Sequence, residues 1–358
     1  MLPEHHPRYP SPAKLNLDLR ITGRLPNGYH ALESIFTLID LQDTLCIVPR
    51  SDGQIVLHTP TPNVPDEQNL VVRAAKSLRD KAATPEHGAD IWLEKRIPMG
   101  GGLGGGSSNA ATVLMVLNDL WQCGLNTAQL LELALPLGAD VPFFIFGRTA
   151  FARGVGEQLQ PIDVPQQYYV LVRPDVHVST PAVFAHPDLP RNSIGHPHPT
   201  YQNLQPLRND MQAVVLQDYP EVQAAFSELQ QYGTPRMTGS GSCLFLTCEQ
   251  PQQAQHIRAG DGVVDVLAVA AGADQLFAAE HGQLLRERRL ANAQRGFQIA
   301  HAAFALRELA QQQQAVFIGQ HLEHAHGGRR AAAHGFGGDG ENRGVHTIYI
   351  FIYYCFLN

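Results

Sequence analysis

Charge is scarce in this chain of 358 residues: Asp, Glu, Lys and Arg make up 16% of it, hydrophobic residues 44%, and the formal net charge is −7. An acidic balance excludes a general nucleic-acid surface, which needs clustered Lys and Arg to displace phosphate counterions. Cysteine is sparse too. Cys46, Cys123, Cys243, Cys248 and Cys355 form no C-x-x-C pair, and one is left over in any disulfide scheme. That excludes a disulfide scaffold and points to a reducing cytoplasm. No uncharged run is long enough to cross a bilayer, and MLPEHHPRYPSPAK lacks the apolar stretch of a signal peptide, so a soluble protein is expected. The 17 His are too dispersed to name a metal site, except for His321, His324 and His326 in a Gly/Ala/His/Arg-rich tract that reads as disordered.

What the chain does have is glycine, concentrated in one place. Pro98, Met99, Gly100, Gly101, Gly102, Leu103, Gly104, Gly105, Gly106, Ser107, Ser108 and Asn109 follow one another just ahead of an apolar helical pattern. Backbone without Cβ atoms can close around a phosphate, and the first amides of a helix lack internal partners and carry the positive end of its dipole. An anion site follows. SSNAATVLMVLNDLW sets Ala110, Val113, Leu114, Leu117 and Trp121 on one helical face; Ser107, Ser108 and Asn109 are capping types that could also reach a phosphate or a magnesium-bound water. ADIWLEKRIP, closed by Pro98, reads as the strand before the loop. A flexible linker rarely leads straight into a capped helix.

Two other phosphate loops are set aside. A nucleoside triphosphatase P-loop needs a Lys after its last Gly, and here Ser107 follows Gly106 directly. A dinucleotide fingerprint is formally met by Gly100, Gly102 and Gly105 with Asp119 beyond them, yet any glycine run meets so loose a pattern. Asp119 fits the solvent face of the helix better, and the loop comes after several strands instead of after the first.

Those earlier strands begin with KLNLDLRITG, which alternates from Leu15 through Leu19 to Ile21 as a half-buried strand. LPNG turns the chain at Pro26 to Gly28, and ESIFTLIDLQDTLCIVP supplies two further strands. A helix carries Leu70, Val71, Ala74, Ala75 and Leu78 on one face, so the arrangement is α+β. A second domain starts near Gly154, with a strand in QYYVLVRP, a helix in EVQAAFSELQQYG, and a small-residue turn at Gly239 to Ser242 leading into another strand. The expected division is 1–153, 154–280, and an atypical, disordered extension at 281–358 that closes on the aggregation-prone IYIFIYYCFLN. Two charged residues stand out. Lys14 opens the first strand beside Pro12, and Asp140 lies between a helix ending near Gly138 and an apolar segment. Taken singly, Lys14 reads equally as a solvated strand end and Asp140 as a helix N-cap with Pro142 just inside.

Taken together, these strings resemble the GHMP superfamily of small-molecule kinases. The loop matches its P-x-G-x-G-L-G-x-S-S pattern, Lys14 stands in its P-A-K-x-N element and Asp140 in its G-A-D-V/I-P element. SPAKLNLDLRITGRLPNGYH, PMGGGLGGGSSNAATVLMVLN, LGADVPFFIFGRTAFARGVGE and RMTGSGSCLFL together are similar to the branch that serves the non-mevalonate isoprenoid pathway, over about Pro10 to Arg258. The resemblance implies a two-domain fold, its N-terminal part like ribosomal protein S5 domain 2 and its C-terminal part ferredoxin-like. It implies phosphorylation by ATP, with Mg²⁺, of the 2-hydroxyl of a small alcohol that carries a cytidine diphosphate group. Asp140 is then the general base with Lys14 as its partner, the loop from Pro98 to Ser108 holds ATP, and Ser108 stands near the metal. Tyr29 and His30 would hold the cytosine and Asn16 the erythritol end. Thr180 and Phe184 would close the acceptor site, and the Gly239 to Ser242 loop would face the first loop across a cleft. A monomer or weak homodimer is expected, without nucleic-acid or membrane partners. The alternatives are a relative that binds nucleotide without catalysis, against which Lys14 and Asp140 speak, and a kinase for another small alcohol, against which the G-Y-H element speaks. Beyond about Arg258 the likeness ends, and the sequence reads as an altered frame or a foreign extension.

Overall fold

The computed structural model describes residues 2–3, 5–62, 64–259 and 267–270. The segment 281–358, with His321, His324, His326 and the aromatic terminus, lies outside the described residues. In chain order the elements are β1 (Arg8–Arg24), β2 (His30–Arg50), β3 (Ile55–Leu57), α1 (Leu70–Ala82), β4 (Gly88–Glu94), α2 (Gly105–Leu120), α3 (Thr127–Ala134), α4 (Val141–Phe146), β5 (Ala150–Arg153), β6 (Gln158–Pro161), β7 (Tyr168–Val172), α5 (Thr180–Ala185), α6 (Gln212–Asp218), α7 (Pro220–Leu229), β8 (Arg236–Met237), β9 (Leu244–Cys248), α8 (Pro251–Ala259) and β10 (Leu267–Ala270). Among the described residues no helix is long and apolar enough to cross a membrane.

ESIFTLIDLQDTLCIVP belongs to one continuous strand, β2, and not to the two that were expected. Its register against β1 jumps from Pro12↔Gln42 to Ala13↔Ile39, so a bulge at Asp40 and Leu41 bends the strand without ending it. On its other edge β2 pairs with β5 at Ser34 to Phe36 and with β4 at Thr44 to Arg50, leaving a gap in the ladder between them. β3 extends the sheet beyond β4, and β6 extends it beyond β5, so the β5–β6 hairpin straddles the expected domain boundary at residue 154. Leu38, Leu45 and Ile91 of this sheet share a core with Ala75 and Leu78 of α1, Leu114 and Leu117 of α2, and Phe143 of α4.

The second sheet runs β10-β7-β9-β8 and is antiparallel throughout. Counted within that sheet the order is fourth-first-third-second, with α5 to α7 after the first strand and α8 after the third. That is the ferredoxin-like arrangement. Between the sheets, Ala13, Leu15 and Leu17 of β1 pack with Tyr169, Leu171 and Phe245.

β1 departs from expectation in one respect that governs the site. Leu15, Leu19 and Ile21 are buried as their alternation requires, but Lys14, Asn16, Asp18 and Arg20 between them are no more than 9% exposed. The strand is buried on both faces. Period-two patterning identifies the polar face without revealing what covers it. One edge of β1 pairs with β2, and the other is occupied by three separate segments. Lys14 N donates to Leu103 O (3.0 Å), Asn16 N to Thr238 Oγ1 (3.0 Å) and Leu19 N to Arg208 O (2.8 Å), while Arg236 donates to Leu17 O (2.7 Å). Each loop that matters to the site is therefore referenced to the same strand.

Candidate active site

The glycine loop leaves β4 and enters α2 through three residues of positive φ, Gly100 (+71°), Gly102 (+74°) and Gly104 (+71°). Gly104 is the residue before the helix, and it caps nothing with a side chain. Ser107, Ser108 and Asn109 are thus not caps; they stand inside α2, and Ser108 N already donates to Gly104 O (2.9 Å). The amides of 105–107 precede that first bond and are the ones a phosphate can use. Gly106 marks the open side, since a Cβ built on it would meet only Leu70 Cδ1, at 3.5 Å.

Ser108, the serine expected near the metal, faces inward. Its side chain is fully buried and accepts a hydrogen bond from Ser11 Oγ at 2.8 Å, so the hydroxyl is turned into the protein. Ser107 is the partly exposed serine of the turn; its Oγ lies 3.6 Å from where a Cβ on Gly138 would be, two residues before Asp140. Among the described residues no group of three His, Cys, Asp or Glu could hold a metal ion. Mg²⁺ often binds through substrate phosphates and its own waters, so the residues here fit a cation delivered on a nucleotide better than one held in a protein cage.

The second small-residue loop does not face the first across a cleft; the two touch. A Cβ on Gly102 would overlap Thr238 O, one on Gly239 would stand 3.1 Å from Gly102 Cα, and one on Gly101 would stand 2.5 Å from Cys243 Sγ. Cys243 N and Thr238 Oγ1 donate to Gly101 O (3.4 Å) and Gly102 O (3.3 Å). The run of glycines therefore serves two needs. Gly101 and Gly102 admit the neighbouring loop, while 104–106 form the helix entrance.

Lys14 and Asp140 are brought together. Lys14 Nζ, at 3% side-chain exposure, lies 3.5 Å from Asp140 Oδ2, whose side chain is 32% exposed. It also donates to Asn16 Oδ1 at 2.5 Å and sits 5.4 Å from the centre of the Phe36 ring. Asp140 occupies the N-cap position of α4, yet its side chain makes no capping hydrogen bond there. The cap reading accounts for its place in the chain and not for its direction. Asn16 is fixed at its other end as well, because its Nδ2 donates to Ser34 Oγ at 2.8 Å. The arrangement is a buried ammonium aimed at a carboxylate that solvent and substrates can reach.

At the far end of β2, His30 stacks on Phe184, ring centres 4.9 Å apart and planes within 17°. Arg191 Nε donates to His30 Nε2 (3.2 Å), and the same guanidinium reaches Phe184 O (2.9 Å) and His186 O (2.7 Å). That contact leaves the proton on Nδ1, free to donate. Burial, with Arg191 and Arg24 nearby, pushes His30 below the usual imidazole value. Tyr29 is 63% exposed beside it. Thr180 Oγ1 lies 2.6 Å from Ser240 Oγ, which ties α5 to the second loop. His30 and Phe36, the partner of Asn16 on β1, are six positions apart on one strand, roughly 20 Å. A nucleoside diphosphate ester could lie along that span. Sequence reasoning missed Arg191, Thr238 and Asp43, whose contacts with His30, Asn16 and Asn109 span 66 or more residues and leave no local signal.

Residues 69–148 match the GHMP kinases N terminal domain and 199–260 the GHMP kinases C terminal domain. The chain is 59% identical over 249 residues to 4-diphosphocytidyl-2-C-methyl-D-erythritol kinase of Neisseria meningitidis serogroup A, covering 70% of this chain and 88% of the relative. It is 50% identical over 255 residues to the kinase of the same name from Chromobacterium violaceum, again covering 70% and 88%. A crystal structure of 4-(cytidine 5'-diphospho)-2C-methyl-D-erythritol kinase, 35% identical, superposes with a TM-score of 0.61 over 74% of this chain and 100% of that one. The chain belongs to the 4-diphosphocytidyl-2-C-methyl-D-erythritol kinase family of the GHMP kinases.

Proposed function

We propose that this chain transfers the γ-phosphoryl group of ATP to the 2-hydroxyl of 4-diphosphocytidyl-2-C-methyl-D-erythritol. The observation that carries the reading is the direction of Asp140: a carboxylate at a helix start that leaves its own amides alone and lies beside a buried ammonium. In this reading the amides of 105–107 receive the nucleotide phosphates, and Mg²⁺ enters as part of the MgATP substrate, with Ser107 and not Ser108 the serine nearest to it. His30, with Tyr29 and Phe184, takes the cytosine: Nδ1–H donates to an acceptor on the base, and the rings supply stacking surface. Thr180 closes the acceptor site, and Asn16 holds the alcohol end.

Asp140 then accepts the proton of the hydroxyl as its oxygen bonds to the γ-phosphorus, and the bond from that phosphorus to the departing ADP oxygen breaks. Lys14 orients the carboxylate and balances charge on the entering oxygen. Holding both substrates in line supplies much of the rate, because phosphoryl transfer asks for positioning and charge stabilisation more than covalent help. The enzyme works in the cytoplasm as a monomer or weak homodimer, a placement supported by the unpaired Cys46, Cys123, Cys243 and Cys248. Its domains divide near residue 154 in chain order.

The test is acceptor-dependent release of ADP by the parent and by Asp140→Asn. Turnover should fall by about a hundredfold or more with little change in either KM, the scale of a lost general base. Unchanged turnover would remove Asp140 from the reaction.

A further inference from the structure

We infer that Asp43 is the positioning residue of the phosphate loop, a buried carboxylate that grips the loop at both ends and touches no substrate. Asp43 lies in the gap of β2 that neither β5 nor β4 pairs, and it is fully buried. Its Oδ1 accepts from Arg96 N (2.7 Å) and Ile97 N (2.8 Å), the two residues immediately before Pro98. Its Oδ2 accepts from Asn109 Nδ2 (2.9 Å), just past the serines, and from Lys95 Nζ (2.5 Å). Four donors fill the capacity of one carboxylate. Asn109 Nδ2 also donates to Ser11 Oγ (2.9 Å), and Ser11 in turn donates to Ser108.

Residues 98–108 thus begin and end on the same side chain. A glycine-rich loop carries few side chains to hold its shape, and ordering it when ligand binds would cost conformational entropy. Fixing both ends beforehand removes part of that cost and aims the free amides before the nucleotide arrives. The clamp also places a cation. Lys95 Nζ stands 3.0 Å from where a Cβ on Gly105 would be, against the first residue of α2. An amide in place of the carboxylate could keep the Oδ1 contacts, but it would turn a donor toward Lys95 and Asn109, which are themselves donors.

The inference rests on the loop being the ATP site, so its test separates the two substrates. The full chain is compared with Asp43→Asn and Asn109→Ala for kcat/KM toward ATP at saturating acceptor, kcat/KM toward acceptor at saturating ATP, affinity for a fluorescent ADP analogue, and thermal melting. Asp43→Asn should lower kcat/KM for ATP and analogue affinity by about thirtyfold, with less than about a threefold change toward the acceptor. Asn109→Ala leaves the other three donors on the carboxylate and should lower the ATP value by roughly threefold to tenfold, with losses in the double variant less than multiplicative. Equal losses toward both substrates would mark Asp43 as ordinary scaffold and overturn the inference, as would unchanged ATP values. Should Asp43→Asn fail to fold, Asn109→Ala decides by the same comparison. A parent that binds the analogue but does not phosphorylate the acceptor overturns the proposed function while analogue affinity still decides the clamp; a parent that binds no adenine nucleotide overturns both.

Discussion

Gly102→Ala is the substitution on which the contact between the two loops can be judged. Gly102 holds φ at +74°, where an alanine costs about 1–2 kcal/mol. Its Cβ would overlap Thr238 O and stand 3.0 Å from Thr238 C and 3.3 Å from Gly241 O, all of them backbone atoms that no rotamer change can move aside. Thr238 is itself held, its N donating to Cys243 O (3.1 Å) and its Oγ1 accepting from Asn16 N (3.0 Å), so the loops must part by roughly an ångström to reach ordinary contact. Overpacking of this kind costs about 1–3 kcal/mol, which makes the total about 2–5 kcal/mol. At about 2–4 °C per kcal/mol, Tm should fall by roughly 4–20 °C in a calorimetric or circular dichroism melt. Gly106→Ala is the internal control. Its Cβ meets only Leu70 Cδ1 at 3.5 Å in helical backbone, so Tm should hold or rise slightly, while KM for ATP should rise if the loop receives the nucleotide phosphates as proposed. A Gly102→Ala protein that melts within about 2 °C of the parent would refute the loop-on-loop packing.

Lys14→Met should leave Asp140 without its partner and lower kcat by about a hundredfold, with KM for ATP little changed; a rise in KM for ATP with kcat unchanged would show that Lys14 binds ATP instead of serving the transferred proton. His30 predicts a pH effect on stability. Its folded pKa lies below 6.5, so in the interval beneath that value the unfolded chain binds a proton the folded one does not, and stability rises with pH there and is lost on acidification. Between about pH 7.5 and about pH 5.5 the parent should therefore lose more stability to urea than His30→Gln, and equal losses would contradict the assignment. Burial pushes the thiols of Cys46 and Cys248 up to about 11 and that of Cys243 to about 12, so iodoacetamide should leave all three unlabelled until denaturant is added. Rapid labelling of Cys243 in the native protein would mean that the loops do not close over it.

The junction of loop and helix was legible because glycine, apolar period and a closing proline all act within a few residues. Lys14 and Asp140 were legible as members of recognisable strings, although neither string says that the carboxylate ignores the helix it opens. What escaped is what depends on distant chain. The polar positions of β1 read as a wet face because nothing nearby announces what buries them. The bulge at Asp40 and Leu41 hid the continuity of β2, since two strands and one bent strand share a pattern. Ser107 and Ser108 are equivalent in the string, and only the contact with Ser11, 97 residues away, shows that the Ser108 hydroxyl is turned inward.

β1 has a consequence for how the molecule can be taken apart. Its residues belong to the first sheet by hydrogen bonding, but Ala13, Leu15 and Leu17 belong equally to the second by packing. A fragment that stopped after β6 would display those three side chains beside an unpaired strand edge, the combination that recruits a second chain and precipitates. The division into two domains is thus a matter of chain order and not of separability. A gene for either half alone should give inclusion bodies, and the two halves should recover a native unit only when they are folded together.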